Sequence, residues 1–329
     1  MKKVVLLTAA SIAMAAGAAN AADLKPVYKA PAAPVVTSPW DFAFGGGLMS
    51  DYIFRGVTQS AHNPSVTAYF EPRYNVTPNL QLYAGISGES IDFANHAAAE
   101  IDGYGGFRPT FGPLALDFGF WYYWYPGGQC FNTPAFGADC PAPLLNGNVI
   151  KKDLSFWEVY AKGTYTFNDQ FALGANFYYT PSFLNSGADG EYVSGTAKFT
   201  FPGTYWFGFG MALSGEVGEQ FLGTSDSFYG TTPTAFFPVA LFPNGIPYKD
   251  YTTWNVGLSF TYKVFTLDLR YYDTSLNKGD CNAFTSDHTT FNFQSGFASP
   301  INPAGLGSNW CGASFVAKFT ADLTLGSLK

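Results

Sequence analysis

From Trp40 onward the chain breaks into short segments in which apolar and polar side chains alternate, and the charges fall almost entirely on one side of that alternation. In residues 65–76, Val66, Ala68, Phe70, Pro72, Tyr74 and Val76 form one set, and Ser65, Thr67, Tyr69, Glu71, Arg73 and Asn75 the other. A period of two puts each set on its own face of a β-strand, so the segment has an oily face and a wet face. Twelve such segments are predicted, at residues 40–50, 65–76, 80–90, 100–111, 114–125, 155–167, 171–181, 191–201, 205–216, 251–262, 265–274 and 311–323. Each is about the length that crosses a bilayer at a tilt of roughly 45°.

The connections alternate as strictly as the residues do. Those at 77–79, 112–113, 168–170, 202–204 and 263–264 are tight, while those at 51–64, 91–99, 126–154, 182–190, 217–250 and 275–310 are long. An even strand count with short and long connections in turn puts both termini on one side of a sheet. Past the first 21 residues no run reaches the ~20 apolar residues of a spanning helix. A sheet in hydrocarbon must close, because an open edge strands its N–H and C=O groups. The predicted fold is therefore all-β: a transmembrane antiparallel up-and-down β-barrel of about 12 strands with short periplasmic turns and long extracellular loops. A charged content of 12% against 19% aromatic residues suits a chain whose solvent is partly lipid.

With the outward face set by aliphatic and aromatic residues, sixteen of the eighteen strand charges point inward. They are Asp41, Glu71, Arg73, Glu89, Glu100, Asp102, Arg108, Asp117, Glu158, Lys162, Lys198, Glu216, Asp268, Arg270, Lys318 and Asp322, and the exceptions, Glu191 and Asp273, sit at external strand ends. Two outward aromatic belts are predicted, one with Trp40, Tyr74, Phe111 and Phe265 at the turn ends and one with Tyr122, Trp124, Trp157 and Trp254 near the loops. Lys2, Lys3, the apolar run to Ala19 and Ala19-Asn20-Ala21 have the form of a signal peptide, giving residues 1–21 as leader, 22–38 as a proline-rich periplasmic tether and 39–329 as barrel. The expected location is the bacterial outer membrane, with its lipid as one partner.

Four cysteines in an exported chain imply two disulfides, with three connectivities open. Cys130 and Cys140 share the third long loop and Cys281 and Cys311 bracket the sixth, which favours the two local pairs. A zinc site is disfavoured, because there is no Cys-x-x-Cys and only His62, His96 and His288 are available; no metal and no other cofactor is expected.

Ser50-Asp51-Tyr52-Ile53-Phe54-Arg55-Gly56-Val57-Thr58-Gln59-Ser60 resembles the opening signature of the TorF-type putative porins, and the resemblance continues through Pro64, the strand pair around Asn75 to Asn79, and Tyr271-Tyr272-Asp273-Thr274. It covers nearly the whole mature chain, and implies a small outer-membrane barrel that forms a pore. It brings no catalytic residues.

Twelve strands enclose more room than an eight-stranded barrel filled by its own side chains and less than the sixteen to eighteen of general porins. The expected function is a porin passing ions or small hydrophilic solutes by diffusion through a narrow, mixed-charge, slightly acidic lumen. Its candidate lining residues are Arg55, Glu71, Arg73, Glu89, Asp102, Arg108, Asp117, Glu158, Lys162, Lys198, Asp268, Arg270 and Lys318. Ten inward acids against six bases lean the potential toward cations. Arg55 has two readings: a guanidinium aimed at the mouth as an anion contact, or a solvated loop arginine paired with Asp51. The rival class is a structural or adhesive barrel whose lumen is filled by its own ion pairs and whose long fifth and sixth loops bind partners or fold inward. No Gly-x-Ser-x-Gly elbow, phosphate-binding glycine loop or basic stripe appears, so neither an enzyme nor a nucleic-acid partner is expected. A homo-oligomer is compatible with the pattern.

Overall fold

The computed structural model describes residues 39–132, 140, 143–203 and 208–325. The expected leader and tether lie outside the described residues. Twelve strands form the wall: β1 (Trp40–Met49), β4 (Ser65–Thr77), β5 (Leu80–Glu89), β6 (Glu100–Phe111), β7 (Leu114–Trp124), β8 (Phe156–Thr166), β9 (Phe171–Thr180), β10 (Gly190–Thr200), β11 (Gly210–Leu222), β12 (Tyr251–Tyr262), β13 (Phe265–Thr274) and β14 (Ser314–Thr324). Between β1 and β4 the first long loop carries a two-stranded hairpin, β2 (Ile53–Phe54) and β3 (Val57–Thr58). Each wall strand pairs antiparallel with its neighbours, and β1 against β14, with Met49 opposite Lys318, closes the barrel. Closure satisfies every ladder without a free edge, the condition a sheet must meet in lipid.

The alternation comes out as a lipid face and a lumen face. Leu48, Val66, Phe70, Ile86, Phe120, Leu213 and Val256 are exposed on the outside, while Glu71, Arg73, Glu100, Asp102 and Glu158 are buried inside. Rim aromatics group as pairs, Trp40 with Tyr74 at 5.0 Å between ring centres, Phe167 with Phe171 at 5.5 Å and Trp254 with Tyr271 at 5.2 Å. A closed antiparallel barrel with an apolar outer band and aromatic rims is an outer-membrane protein.

Several strand ends lie one to three residues from the sequence expectation, as where the last strand begins at Ser314 instead of 311, and one strand differs by more. The ninth wall strand was expected over 205–216, but β11 runs Gly210–Leu222. Val217 and Phe221 continue the outward set beyond Glu216, which places Glu219 between them on the outer face. A third outward charge thus joins Glu191 and Asp273, again at an external strand end, where Glu219 accepts from Thr252 Oγ1 at 2.6 Å. Charge at that depth meets headgroups, so it did not end the strand.

The long loops are not a solvated fringe. Phe93, Leu144, Ile150, Leu154, Phe183, Tyr229, Ile246, Tyr248 and Ile301, from five different loops, join Tyr123, Tyr125 and Phe156 in one buried apolar cluster over the external mouth. The sixth loop contributes α1 (Lys278–Thr285), started by Asn277, whose side chain accepts from the Gly279 and Asp280 amides. Both local disulfides are present, Cys130–Cys140 and Cys281–Cys311.

Candidate functional site

The first loop turns into the barrel instead of away from it. At the tip of the β2–β3 hairpin, Arg55 has φ 47° and Gly56 φ 79°, the left-handed pair that a tight two-residue hairpin turn demands. A Cβ at Gly56 would lie 2.6 Å from Thr253 Oγ1 of β12, so the tip fits the wall only as glycine. Behind it, Thr58 N donates to Trp310 O at 2.9 Å and Asp92 N to Gln59 O at 2.8 Å, tying the hairpin to the sixth and second loops.

From this tip the Arg55 guanidinium crosses the lumen. Its two terminal nitrogens donate to both carboxylate oxygens of Glu158 on β8, at 2.8 and 2.7 Å, and Nη1 also donates to Gln220 Oε1 of β11 at 3.0 Å. The rings of Phe54, Tyr192 and Tyr178 lie 4.6, 4.6 and 4.8 Å from the same group. Glu158 receives a further bond from Tyr123 Oη at 3.1 Å and, like Gln220, is fully buried. Neither sequence reading of Arg55 survives: it is not a free anion contact at the mouth, and Asp51 is bound by Thr58, Ser60 and His62 instead. The guanidinium is the fastener between the hairpin and the far wall.

Beneath the hairpin lies a cavity of about 600 Å3. Of the candidate lining residues, Arg55, Glu89, Asp102, Lys162 and Arg270 border it, together with Glu216, Asn176, Asn255 and a run of tyrosines. The rings form a nearly continuous wall around half the barrel: Trp121 stacks on Tyr104 at 4.1 Å, and Tyr160, Tyr178 and Tyr192 follow at 5.6 and 6.3 Å.

Glu71, Arg73, Arg108, Asp117 and Asp268 belong to two ion-pair ladders, the second built on Arg270. In the first, Arg73 Nε donates to Glu71 at 2.5 Å and lies 3.7 Å from Asp41, while Arg108 reaches the same Glu71 at 2.9 Å and Asp117 at 3.3 Å. Tyr83 Oη donates to Asp117 at 2.5 Å and meets the Tyr160 hydroxyl. In the second, Arg270 holds Asp268 at 2.9 Å and donates to Asn255 at 2.6 Å and Ser214 at 2.8 Å. These contacts run along a strand, as from Arg73 to Glu71 and from Arg270 to Asp268, and across one or two strand spacings of the inner face, as from Arg108 to Asp117 and to Glu71, so they stiffen the wall and neutralise much of its charge. Among the described residues, no carboxylate pairs with Lys162, Lys198 or Lys318; Lys162 Nζ sits 4.2 Å from the Tyr160 ring centre.

Sequence reasoning did not find the hairpin, Gln220, or the bonds from Tyr52 and Tyr125 to Glu100 at 2.6 and 2.8 Å. The available signal was Arg55-Gly56 between Ile53-Phe54 and Val57-Thr58, a turn sequence flanked by strand-forming residues inside a loop.

Residues 33–297 match the family described as Bacterial protein of unknown function (Gcw_chp). The chain belongs to this family. No curated protein matches it. Among solved structures, this Gcw_chp protein is similar to an outer-membrane channel from Pseudomonas putida F1, at 11% identity over 92% of this chain and 100% of that one, with a TM-score of 0.38. It is also similar to a loop-deletion variant of OmpT, an outer membrane protein of Vibrio cholerae, at 10% identity over 86% and 98% of the two chains, with a TM-score of 0.34. At such distances neither structure assigns a role to the Gcw_chp barrel.

Proposed function

We propose that the protein is a low-conductance outer-membrane channel for ions or small hydrophilic solutes, with its external mouth shut by the first-loop hairpin in the conformation described. The observation that carries this reading is the polar cavity beneath the hairpin, together with the nature of the fastening above it. A barrel built only for rigidity fills its bore with side chains; here about 600 Å3 is left between charged groups and tyrosines. Inside the bore the hairpin tip is fastened by one guanidinium and its partners, contacts that can exchange for water. The resemblance of Ser50 to Ser60 to the TorF-type putative porins supports the same reading, as does a leader at residues 1–21 that exports the chain. Acids outnumber bases on the inner face, so the channel favours cations.

Planar-bilayer recording tests it. Wild-type protein is expected to give small, infrequent steps, and Arg55→Ala larger or more frequent ones, with a reversal potential across a potassium chloride gradient on the cation side. Silence from both proteins, each shown to fold by heat-modifiable gel migration, would overturn the channel. That result would favour a closed structural barrel, the reading supported by the apolar cluster over the mouth.

A further inference from the structure

Three acids meet where β5 ends and β6 begins. The register puts Glu89 directly opposite Glu100 and Ser87 opposite Asp102, and like charges paired across strands repel. One carboxylate oxygen from each of Glu89, Glu100 and Asp102 lies within 4.8 Å of the other two. Hydroxyls surround them: Tyr52 and Tyr125 donate to Glu100 at 2.6 and 2.8 Å, Thr67 to Glu89 at 2.7 Å and Ser87 to Asp102 at 2.9 Å. Among the described residues, no lysine, arginine or histidine forms an ion pair with any of the three. Elsewhere on the inner face arginines join buried acids, as Arg108 and Arg73 join Glu71 and Arg55 joins Glu158.

A second observation points to what is missing. Asp102 is only 3% exposed, yet its Oδ1 has no well-formed hydrogen bond, the nearby Trp121 indole N–H falling short of one, and the buried Oε2 of Glu89 has no partner either. Buried carboxylate oxygens without donors are costly and are met in folded proteins by a donor, a counter-charge, a proton taken up by the carboxyl, or a metal.

We propose that Glu89, Glu100 and Asp102 form a binding site for a hard divalent cation of the calcium class. The donor set is oxygen only, which suits calcium and not the softer metals that choose sulfur or imidazole. Ligand atoms that all lie within 4.8 Å of one another can share one ion at a calcium–oxygen distance of about 2.4 Å. Glu89 and Asp102 border the lumenal cavity, which supplies both an access route and water for the remaining coordination positions. The sequence expectation of no metal rested on cysteine and histidine spacing, and cross-strand register assembles this site from residues with no motif spacing. Because Tyr52 bonds Glu100 and leads into the hairpin, the bound cation also steadies the first loop.

The test uses the full chain folded in detergent. Equilibrium dialysis against calcium is expected to give about one bound ion per barrel, and terbium is expected to bind in its place with emission sensitised by Trp121, which borders the same cavity, and to be displaced by calcium. Asp102→Asn and Glu89→Gln should each weaken calcium binding by about tenfold or more, a loss of about 1.4 kcal/mol, whereas Glu191→Gln on the outer rim should leave it unchanged. No calcium on the folded wild-type protein, or unaltered affinity in the folded double variant Glu89→Gln/Asp102→Asn, would overturn the site. If the variants do not fold, the wild-type dialysis still decides. Binding is read without conductance, so the site stands or falls apart from the channel.

Discussion

Arg55 and His62 show two ways in which single residues hold the first loop. Removing the Arg55 side chain leaves Glu158 buried without its counter-charge, and breaking a buried pair from one side costs about 3–5 kcal/mol. Arg55→Ala should therefore release the hairpin, seen as faster hydrogen exchange at residues 53–59 in micelles. Arg55→Lys should rescue only part of this, because an ammonium cannot make the two-pronged bond. His62 has a different sensitivity. Its Nδ1 lies 2.7 Å from Asp51 Oδ2 and its Nε2 2.9 Å from Asn309 O; both partners are acceptors, a setting that favours the doubly protonated ring. The bond to Asp51 raises the His62 pKa, burial works against it, and the Asn309 carbonyl and the charges of Asp51 and Asp287 add to the rise. Burial alone would raise Asp51, but bonds from His62, Thr58 and Ser60 outweigh it and leave its pKa lowered. A raised histidine stabilises below its unfolded pKa, and that stabilisation is lost as pH climbs through the folded value; a lowered aspartate loses its share only as pH falls through its own folded value. The junction of the first and sixth loops should thus loosen on the alkaline side of about 6.5, measurable as pH-dependent exchange of the residue 58–63 amides that His62→Gln abolishes. The inward parity of these strands' charges was legible in the sequence, but their partners were not: Arg55 and Glu158 are 103 residues apart, and only closure of the barrel brings them together.

At the scale of elements, period two was enough to locate all twelve wall strands, because each has lipid on one side and a polar lumen on the other. The loops carry no comparable signal. Their apolar residues, such as Phe93, Ile150 and Tyr248, pack against one another at large sequence separations, with no repeat to announce the contact. The hairpin is the element on which the proposed closure depends, and its turn geometry allows a direct test. At Gly56 a β-branched residue meets both a left-handed φ and the Thr253 hydroxyl. Gly56→Val should displace the tip and raise conductance as Arg55→Ala does, by a steric route that leaves the arginine present. Conductance equal to wild type in a protein with demonstrated tip displacement would place the obstruction in the loop cluster above.

For the molecule as a whole, the same alternation that closes the barrel decides what each position tolerates. Tyr69 and Phe70 are neighbours in β4, but Tyr69 borders the cavity and donates to Asp322 at 2.9 Å, while Phe70 is exposed on the outer face. An arginine at position 69 would replace one partner of Asp322 by another in a wet, polar setting. The same residue at position 70, midway along its strand, faces hydrocarbon, where a basic side chain costs about 2–4 kcal/mol. Phe70→Arg should accordingly lower stability by that amount in guanidinium unfolding from lipid vesicles, and Tyr69→Arg by about 1 kcal/mol or less, the ordinary range of a substitution that keeps its partner. Equal losses at the two positions would mean that lipid and water do not divide the faces, and then neither the cavity nor the hairpin above it would lie on a path between the two sides of the membrane.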